Sequence, residues 1–483
     1  MLKALTATSC LGLAVASLLT GCPDRSISEV NPEQGRVEYK DIPVTVNRDI
    51  DILFLIDDSP SMADKQRNLA ANFPQFINVL NTIQGGLPNV HIGIATSDMG
   101  SLATGGQGPN VGTAGTQGGC VGTGKAGKLQ VKGGASVNGV FISDTLDGTT
   151  QQRVTNYQGA LATTFATMAT GVGVNGCGFE QHLEGIKAAL DNNATNAGFI
   201  RDKAFLAIII IADEDDCSLA DPQLLQSATT TFGPLESFRC TQYGVTCDVG
   251  GATPAEMGQV GPKSMCHSNE SGTELTKVQR YIDFLKGFKA EPTDVIVALI
   301  GGPATPVATE LRAPQSGAAA VPALAHSCSY VDATNATEVA DSSVRQTQFI
   351  NAFPNRSTFQ AICNNDLSDG LVLIAQLLKS VIGSPCIDGE LAVPFDCSVS
   401  DVTDPGKPTQ HETVLPECTD TGNNDTSNNG QACWAIVADT TSCPTGTNLS
   451  LKVKRSGMAA PANDHVIANC VTVATNGMGS GSN

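Results

Sequence analysis

Residues 51–57 read Asp-Ile-Leu-Phe-Leu-Ile-Asp, and residues 205–213 read Phe-Leu-Ala-Ile-Ile-Ile-Ile-Ala-Asp. Apolar runs this short and unbroken belong to strands buried on both faces of a parallel sheet. A further strand is expected at 90–96, with others at 294–300 and 358–363. Between them lie stretches with helical spacing. Leu69, Phe73, Phe76, Ile77 and Leu80 mark one apolar face of a helix over 62–80. More helices are expected near 157–170, 180–190, 275–289, 345–353 and 367–382. Strands that alternate with helices build a parallel sheet covered on both sides.

Sixteen cysteines, none in a Cys-x-x-Cys pair, indicate an oxidising compartment rather than thiolate metal sites. The N-terminus agrees with export. Lys3 precedes an apolar stretch over 4–19 that is too short to span a bilayer. It ends in Leu19-Thr20-Gly21-Cys22, which resembles the lipobox of bacterial lipoproteins. That resemblance implies a signal peptide over 1–21 and acylation of Cys22; several acyl chains, at ~0.8 kcal/mol per CH₂, make a firm anchor. Pro23, with Asp24 only at the next position, favours the outer membrane over the inner. With Cys10 removed and Cys22 acylated, fourteen cysteines remain, enough for seven bridges.

Residues 22–47 read as the lipidated cysteine and a polar tether ending in a short lead-in strand, and 48–385 as the main domain. Two insertions interrupt that domain. Residues 100–150 hold 15 of the 50 glycines and read as a long loop with a small hairpin around 137–142. Residues 217–272 carry Cys217, Cys240, Cys247 and Cys266 and read as a cross-linked excursion. From 386 onward, Cys386, Cys397, Cys418, Cys433, Cys443 and Cys470 crowd into a small all-β domain, with Trp434 in its core. The expected fold class is therefore α/β: a doubly wound, mostly parallel, Rossmann-like sheet with disulfide-braced insertions and a C-terminal disulfide-rich β domain. With 28 Lys and Arg against 47 Asp and Glu, the chain lacks the basic footprint that nucleic acid requires.

The first strand runs into Asp57-Asp58-Ser59-Pro60-Ser61, and a helix follows at once. Ligand sites in open parallel sheets form at the carboxyl ends of strands. Asp57, Ser59 and Ser61 offer hard oxygen donors, which suit Mg²⁺, Ca²⁺ or Mn²⁺ rather than zinc. The same spacing in Asp24-Arg-Ser26-Ile-Ser28 has no such setting. At the end of the second apolar run stand Asp213, Glu214, Asp215 and Asp216, four acids whose mutual repulsion calls for a cation nearby.

On these residues, 49–385, about 70% of the chain, resembles a von Willebrand factor A (VWA) domain. The Asp57-x-Ser59-x-Ser61 loop resembles that family's metal-ion-dependent adhesion site (MIDAS). The resemblance implies a six-stranded, mostly parallel sheet flanked by helices. It also implies a divalent cation held by Asp57, Ser59, Ser61 and Asp213, with an open position for an acidic group of a protein or glycan partner. Two departures stand out. Asp213 is followed by Glu214 where the family usually has Gly, and the family's Thr is missing from Gly176-Cys-Gly-Phe-Glu180-Gln-His-Leu, so Glu180 is the candidate fifth ligand. Asp98 is expected as a turn residue and His182 as an ordinary surface or packing residue. Cys177 and Cys217 flank the site loops, and the candidate pairings are Cys120–Cys177, Cys217–Cys240, Cys247–Cys266 and Cys328–Cys363.

No Gly-x-Ser-x-Gly or His-Glu-x-x-His motif occurs, and no Gly-x-x-x-x-Gly-Lys is followed by the Ser or Thr that a phosphate-binding loop requires. The expected function is thus non-enzymatic: a lipid-anchored envelope protein that binds ligands through a metal. A structural envelope protein, whose cation only stabilises the fold, is the alternative. A hydrolase ranks third.

Overall fold

A computed structural model describes residues 36–43 and 48–472, apart from 84–85, 148–149, 151, 291, 315–316, 355, 384–385, 388–389, 404–409, 423–424, 441–446 and 457–463. The expected signal peptide, Cys10, Cys22, most of the tether and Cys443 lie outside the described residues. The chain divides into two compact units, Val46–Ser384 and a second made of Met1–Thr45 with Pro385–Asn483.

The larger unit is built on a seven-stranded mixed sheet. Its strands are β1 (Asp49–Ile56), β2 (Asn89–Thr96), β3 (Ile142–Leu146), β4 (Arg153–Thr155), β5 (Phe205–Ile211), β6 (Val295–Gly301) and β7 (Ser357–Ala361). Their order across the sheet is β7-β6-β5-β1-β2-β3-β4. From β7 to β2 every pairing is parallel; β3 and β4 are added antiparallel at the edge. The hairpin expected around 137–142 is therefore displaced along the chain and extends the main sheet.

Six helices cover it: α1 (Ala63–Asn81), α2 (Leu161–Gly171), α3 (His182–Leu190), α4 (Val278–Lys286), α5 (Val344–Asn351) and α6 (Ser368–Gly383). Alternation along β1 sends Ile50, Ile52, Phe54 and Ile56 to a core shared with α1, α2 and α6. Leu53 and Leu55 face the opposite core with α3, α4 and α5. The first core centres on an aromatic cluster, with Phe54 at 4.7 Å from Phe165 and 5.8 Å from Phe73, ring centre to ring centre.

Residues 217–272 contain more order than their composition suggests, and they combine with a stretch not foreseen as an insertion. Val245–Val249, Gly261–Ser268, Val307–Arg312 and Val321–Leu324 form a four-stranded sheet. After it, Cys328–Val331 and Thr337–Ala340 make a hairpin. Bridges join Cys120–Cys177, Cys217–Cys240, Cys247–Cys266 and Cys328–Cys363, the four pairs suggested by position.

In the smaller unit, short antiparallel strands enclose a core that includes Trp434, Ile436, Val399 and Val466. Cys397–Cys470 and Cys418–Cys433 are bonded. The end of the expected tether, Arg36–Pro43, pairs along its whole length with Asp464–Thr472, from Arg36↔Thr472 to Pro43↔His465. The short strand expected at the end of the tether is thus a strand of the smaller unit.

Candidate functional site

The carboxyl ends of β1, β2 and β5 meet at one edge of the sheet. The Asp57 amide donates to Ile211 O at 2.9 Å, carrying the β1–β5 ladder one residue past the strand. Ser59 is still extended, and Pro60 opens a single 3₁₀ turn, Pro60–Met62, that feeds α1. The chain therefore reverses within a few residues, and the Asp57 carboxylate is held under the turn by accepting the Ser59 amide at 2.7 Å.

Three of the predicted ligands come into direct contact. The Ser59 and Ser61 hydroxyls lie 3.0 Å apart, and Ser61 donates to Asp213 Oδ1 at 3.1 Å. Asp57 sits behind them, fully buried. Its Oδ1 also accepts the Ser97 hydroxyl at 3.2 Å, and its Oδ2 lies 3.2 Å from His182 Nε2. Glu180 is buried nearby but is not hydrogen-bonded to the serines. It shares a hydrogen bond with Glu214, and burial, reinforced by Glu214 and Asp57, pushes its carboxyl well up. Burial likewise raises Glu214 to about 8, with Asp341 and Asp213 adding to the effect. Two carboxyls this close resist ionising together.

The four consecutive acids do not act as one group. Asp215 caps α5, accepting the Arg345 and Gln346 amides. Asp216 accepts the Leu183 amide at the start of α3 and the Arg345 guanidinium at 3.0 Å. Arg345 is itself buried and also donates to Thr276 O and the Ser268 hydroxyl. These two acids are structural. Only Asp213 and Glu214 face the site, which corrects the expectation that all four demand a cation.

The protein supplies basic partners for the rest. Lys65 Nζ lies 3.2 Å from Asp213 Oδ2, and it also reaches Ser61 O, Asp64 and Glu338. Lys125, from the glycine-rich insertion, pairs with Asp58. Even so, burial keeps Asp213 and Asp58 raised to about 7. Of the two roles expected for His182, surface or packing, the structure shows the buried one, against Asp57; burial lowers its pKa, but the hydrogen bond and charge of Asp57, with Asp216 and Asp215, outweigh burial and raise it. Asp98 accepts the Gly100 amide in a turn, as expected.

Glycine is required where loops press together. A Cβ on Gly176 would come within 2.4 Å of Asp58 Oδ1, and the Gly176 amide donates to Asp58 O. The Cys120–Cys177 bridge pins that loop to the insertion that carries Lys125.

The sequence points to none of Lys65, Ser97 and Lys125 as a site residue, and to His182 only as a surface or packing residue. Two of them carried a usable signal: Lys65 lies one helical turn beyond Ser61, and Ser97 directly follows a strand. For Lys125 and His182 there was none. Among the described residues, no three His, Cys, Asp or Glu side chains are grouped as ligands for one metal ion; the convergent set is two hydroxyls with one or two carboxylates.

No family model matches the chain, and no curated protein does. Among solved structures, the pilus adhesin SpaC from Lactobacillus rhamnosus GG has 11% identity, covering 92% of this chain and 42% of its own, with a TM-score of 0.24. The chain thus spans less than half the length of that adhesin, and a score this low carries no argument about fold or function.

Proposed function

We propose that this is a lipid-anchored cell-envelope protein whose larger unit is VWA-like and binds a divalent cation at a MIDAS-like site, through which it captures an acidic group on a protein or glycan. The carrying observation is the chain of contacts Ser59 Oγ–Ser61 Oγ–Asp213 Oδ1, at 3.0 and 3.1 Å, over the ends of adjacent parallel strands. Oxygens about 3 Å apart match neighbouring ligands of an octahedral ion bonded at about 2.1 Å. Asp57 is engaged by Ser59, Ser97 and His182, so its part is through a bridging water. Ser59, Ser61 and Asp213 would hold the ion directly, and Glu180 lies outside that direct set. A mostly parallel sheet with helices on both faces supports the same reading, and several disulfides fit an exported chain.

Lys65 and Lys125 pair with Asp213 and Asp58 in the absence of a metal, which weighs against metal binding itself; in the structural alternative a bound cation only stabilises the fold. Thermal melts with Mg²⁺, Mn²⁺ and Ca²⁺ decide whether an ion binds. At one hundred times the dissociation constant a native-state ligand adds about 2.7 kcal/mol. Wild type is expected to gain stability and Ser61→Ala to lose that gain; no shift in wild type sinks the metal reading. Capture of envelope proteins or glycans that persists in chelator would leave the ion a structural role only. Acylation is tested separately, since Cys22→Ser should move the chain from the detergent phase to the aqueous phase on partition.

A further inference from the structure

Among the described residues, Lys65 is the one buried cation that touches a carboxylate of the direct ligand set, and its position has consequences for which ion can bind. Its ammonium is 1% exposed and lies among four oxygens: Ser61 O at 3.1 Å, Asp213 Oδ2 at 3.2 Å, Glu338 Oε2 at 3.2 Å and Asp64 Oδ1 at 3.3 Å. Asp64 is held in turn by the Tyr330 hydroxyl. Tyr330 and Glu338 lie on opposite strands of the hairpin that pairs Cys328–Val331 with Thr337–Ala340, and the Cys328–Cys363 bridge anchors it. The ammonium is therefore held in place from both sides.

The two oxygens of Asp213 are consequently unequal. Oδ1 faces the Ser61 hydroxyl, while Oδ2 is held by a charged donor. Calcium fills six to eight positions and readily takes both oxygens of a carboxylate, whereas magnesium demands a small octahedral shell with one oxygen per carboxylate and keeps its waters. We propose that Lys65, by occupying Oδ2 of Asp213, confines that carboxylate to a single oxygen for metal and so makes the site choose Mg²⁺ or Mn²⁺ over Ca²⁺. This inference rests on the metal reading above and assigns Lys65 as a residue that sets specificity without being a ligand.

The test is calorimetric titration of the full chain with MgCl₂, MnCl₂ and CaCl₂ alone, on wild type, Lys65→Met, Lys65→Gln and Glu338→Gln. Wild type is expected to bind Mg²⁺ and Mn²⁺ at least about tenfold more tightly than Ca²⁺. Both Lys65 variants should bind every ion more tightly, because a positive charge one carboxylate away opposes any cation. Their preference against Ca²⁺ should fall at least about tenfold relative to wild type. Glu338→Gln, which leaves Lys65 on Asp213, should keep the wild-type ratio. Lys65→Gln removes the charged donor from Oδ2 with a shorter, polar side chain and serves should the Met variant not fold. Parity of the three ions in wild type overturns the inference without any variant, as does an unchanged ratio in a folded Lys65 variant. If wild type binds no ion at all, the metal reading itself fails, a result distinct from either of these.

Discussion

Arg345 illustrates how far one side chain can organise this molecule. Its guanidinium closes on Asp216, which caps α3, while its own amide is capped by Asp215 at the start of α5. A buried charge is tolerated only when paired and hydrogen-bonded, and here one pair orients two helices beside the site. At the opposite end of the strands a second buried group sets a pH dependence. His91 lies against Phe199 O at 2.8 Å, close to Asp51 and Arg201. Burial, aided by Arg201, lowers its pKa below the usual 6.5. The unfolded chain then binds the proton more readily, so His91 contributes stability above about pH 6.5 that is lost as pH falls through its folded value. Asp51 works in the opposite sense, since burial raises its pKa despite Arg201. The imidazole is isolated by comparing wild type with His91→Gln in urea melts between about pH 7.5 and 5.5. Wild type should lose more stability over that range, and parallel curves would refute the assignment.

At the scale of elements, the glycine-rich insertion is part of the frame around the candidate site. It is bonded through Cys120 to the loop that bears Gly176 and Glu180, and it delivers Lys125 to Asp58. A bridge with a sequence separation of 57 is worth about 4 kcal/mol in the chain-entropy account. Replacing both Cys120 and Cys177 by Ala should lower the urea-derived stability by roughly that amount; a loss under about 1 kcal/mol would mean that the loops hold without it. The elements themselves were largely legible beforehand. Strands β1, β2, β5 and β6 and helix α1 announce themselves by apolar runs and helical spacing, which are local properties. The sheet built from 245–249, 261–268, 307–312 and 321–324 was not legible. Its strands carry exposed residues such as Val249, Met265 and Leu311, and its two halves join across a long separation at Gly261↔Thr309, so no local period marks them.

For the whole molecule, the two units are threaded by a chain that begins in one and returns to it. Arg36–Pro43 completes one side of Asp464–Thr472, and Cys397–Cys470 staples that strand to its other neighbour. An unpaired edge strand is a liability. Removing residues 23–45 should therefore lower the melting temperature and protease resistance of the unit formed by 385–483, leaving the transition of 46–384 in place. Calorimetry with limited proteolysis separates the two, and equal loss in both would contradict independent units.

The α/β character, the Asp57-x-Ser59-x-Ser61 turn and the second acidic strand end at Asp213 are legible in the amino-acid sequence alone. All of these follow from short-range pattern and from strand-end logic. Which acids are structural, which face the site and which protein cations meet them depends on the fold. Lys125 lies 67 residues from Asp58 and His182 lies 125 from Asp57. Along the chain one lysine or carboxylate resembles another; in the fold a few ångströms of separation and the loss of water decide which of them interact.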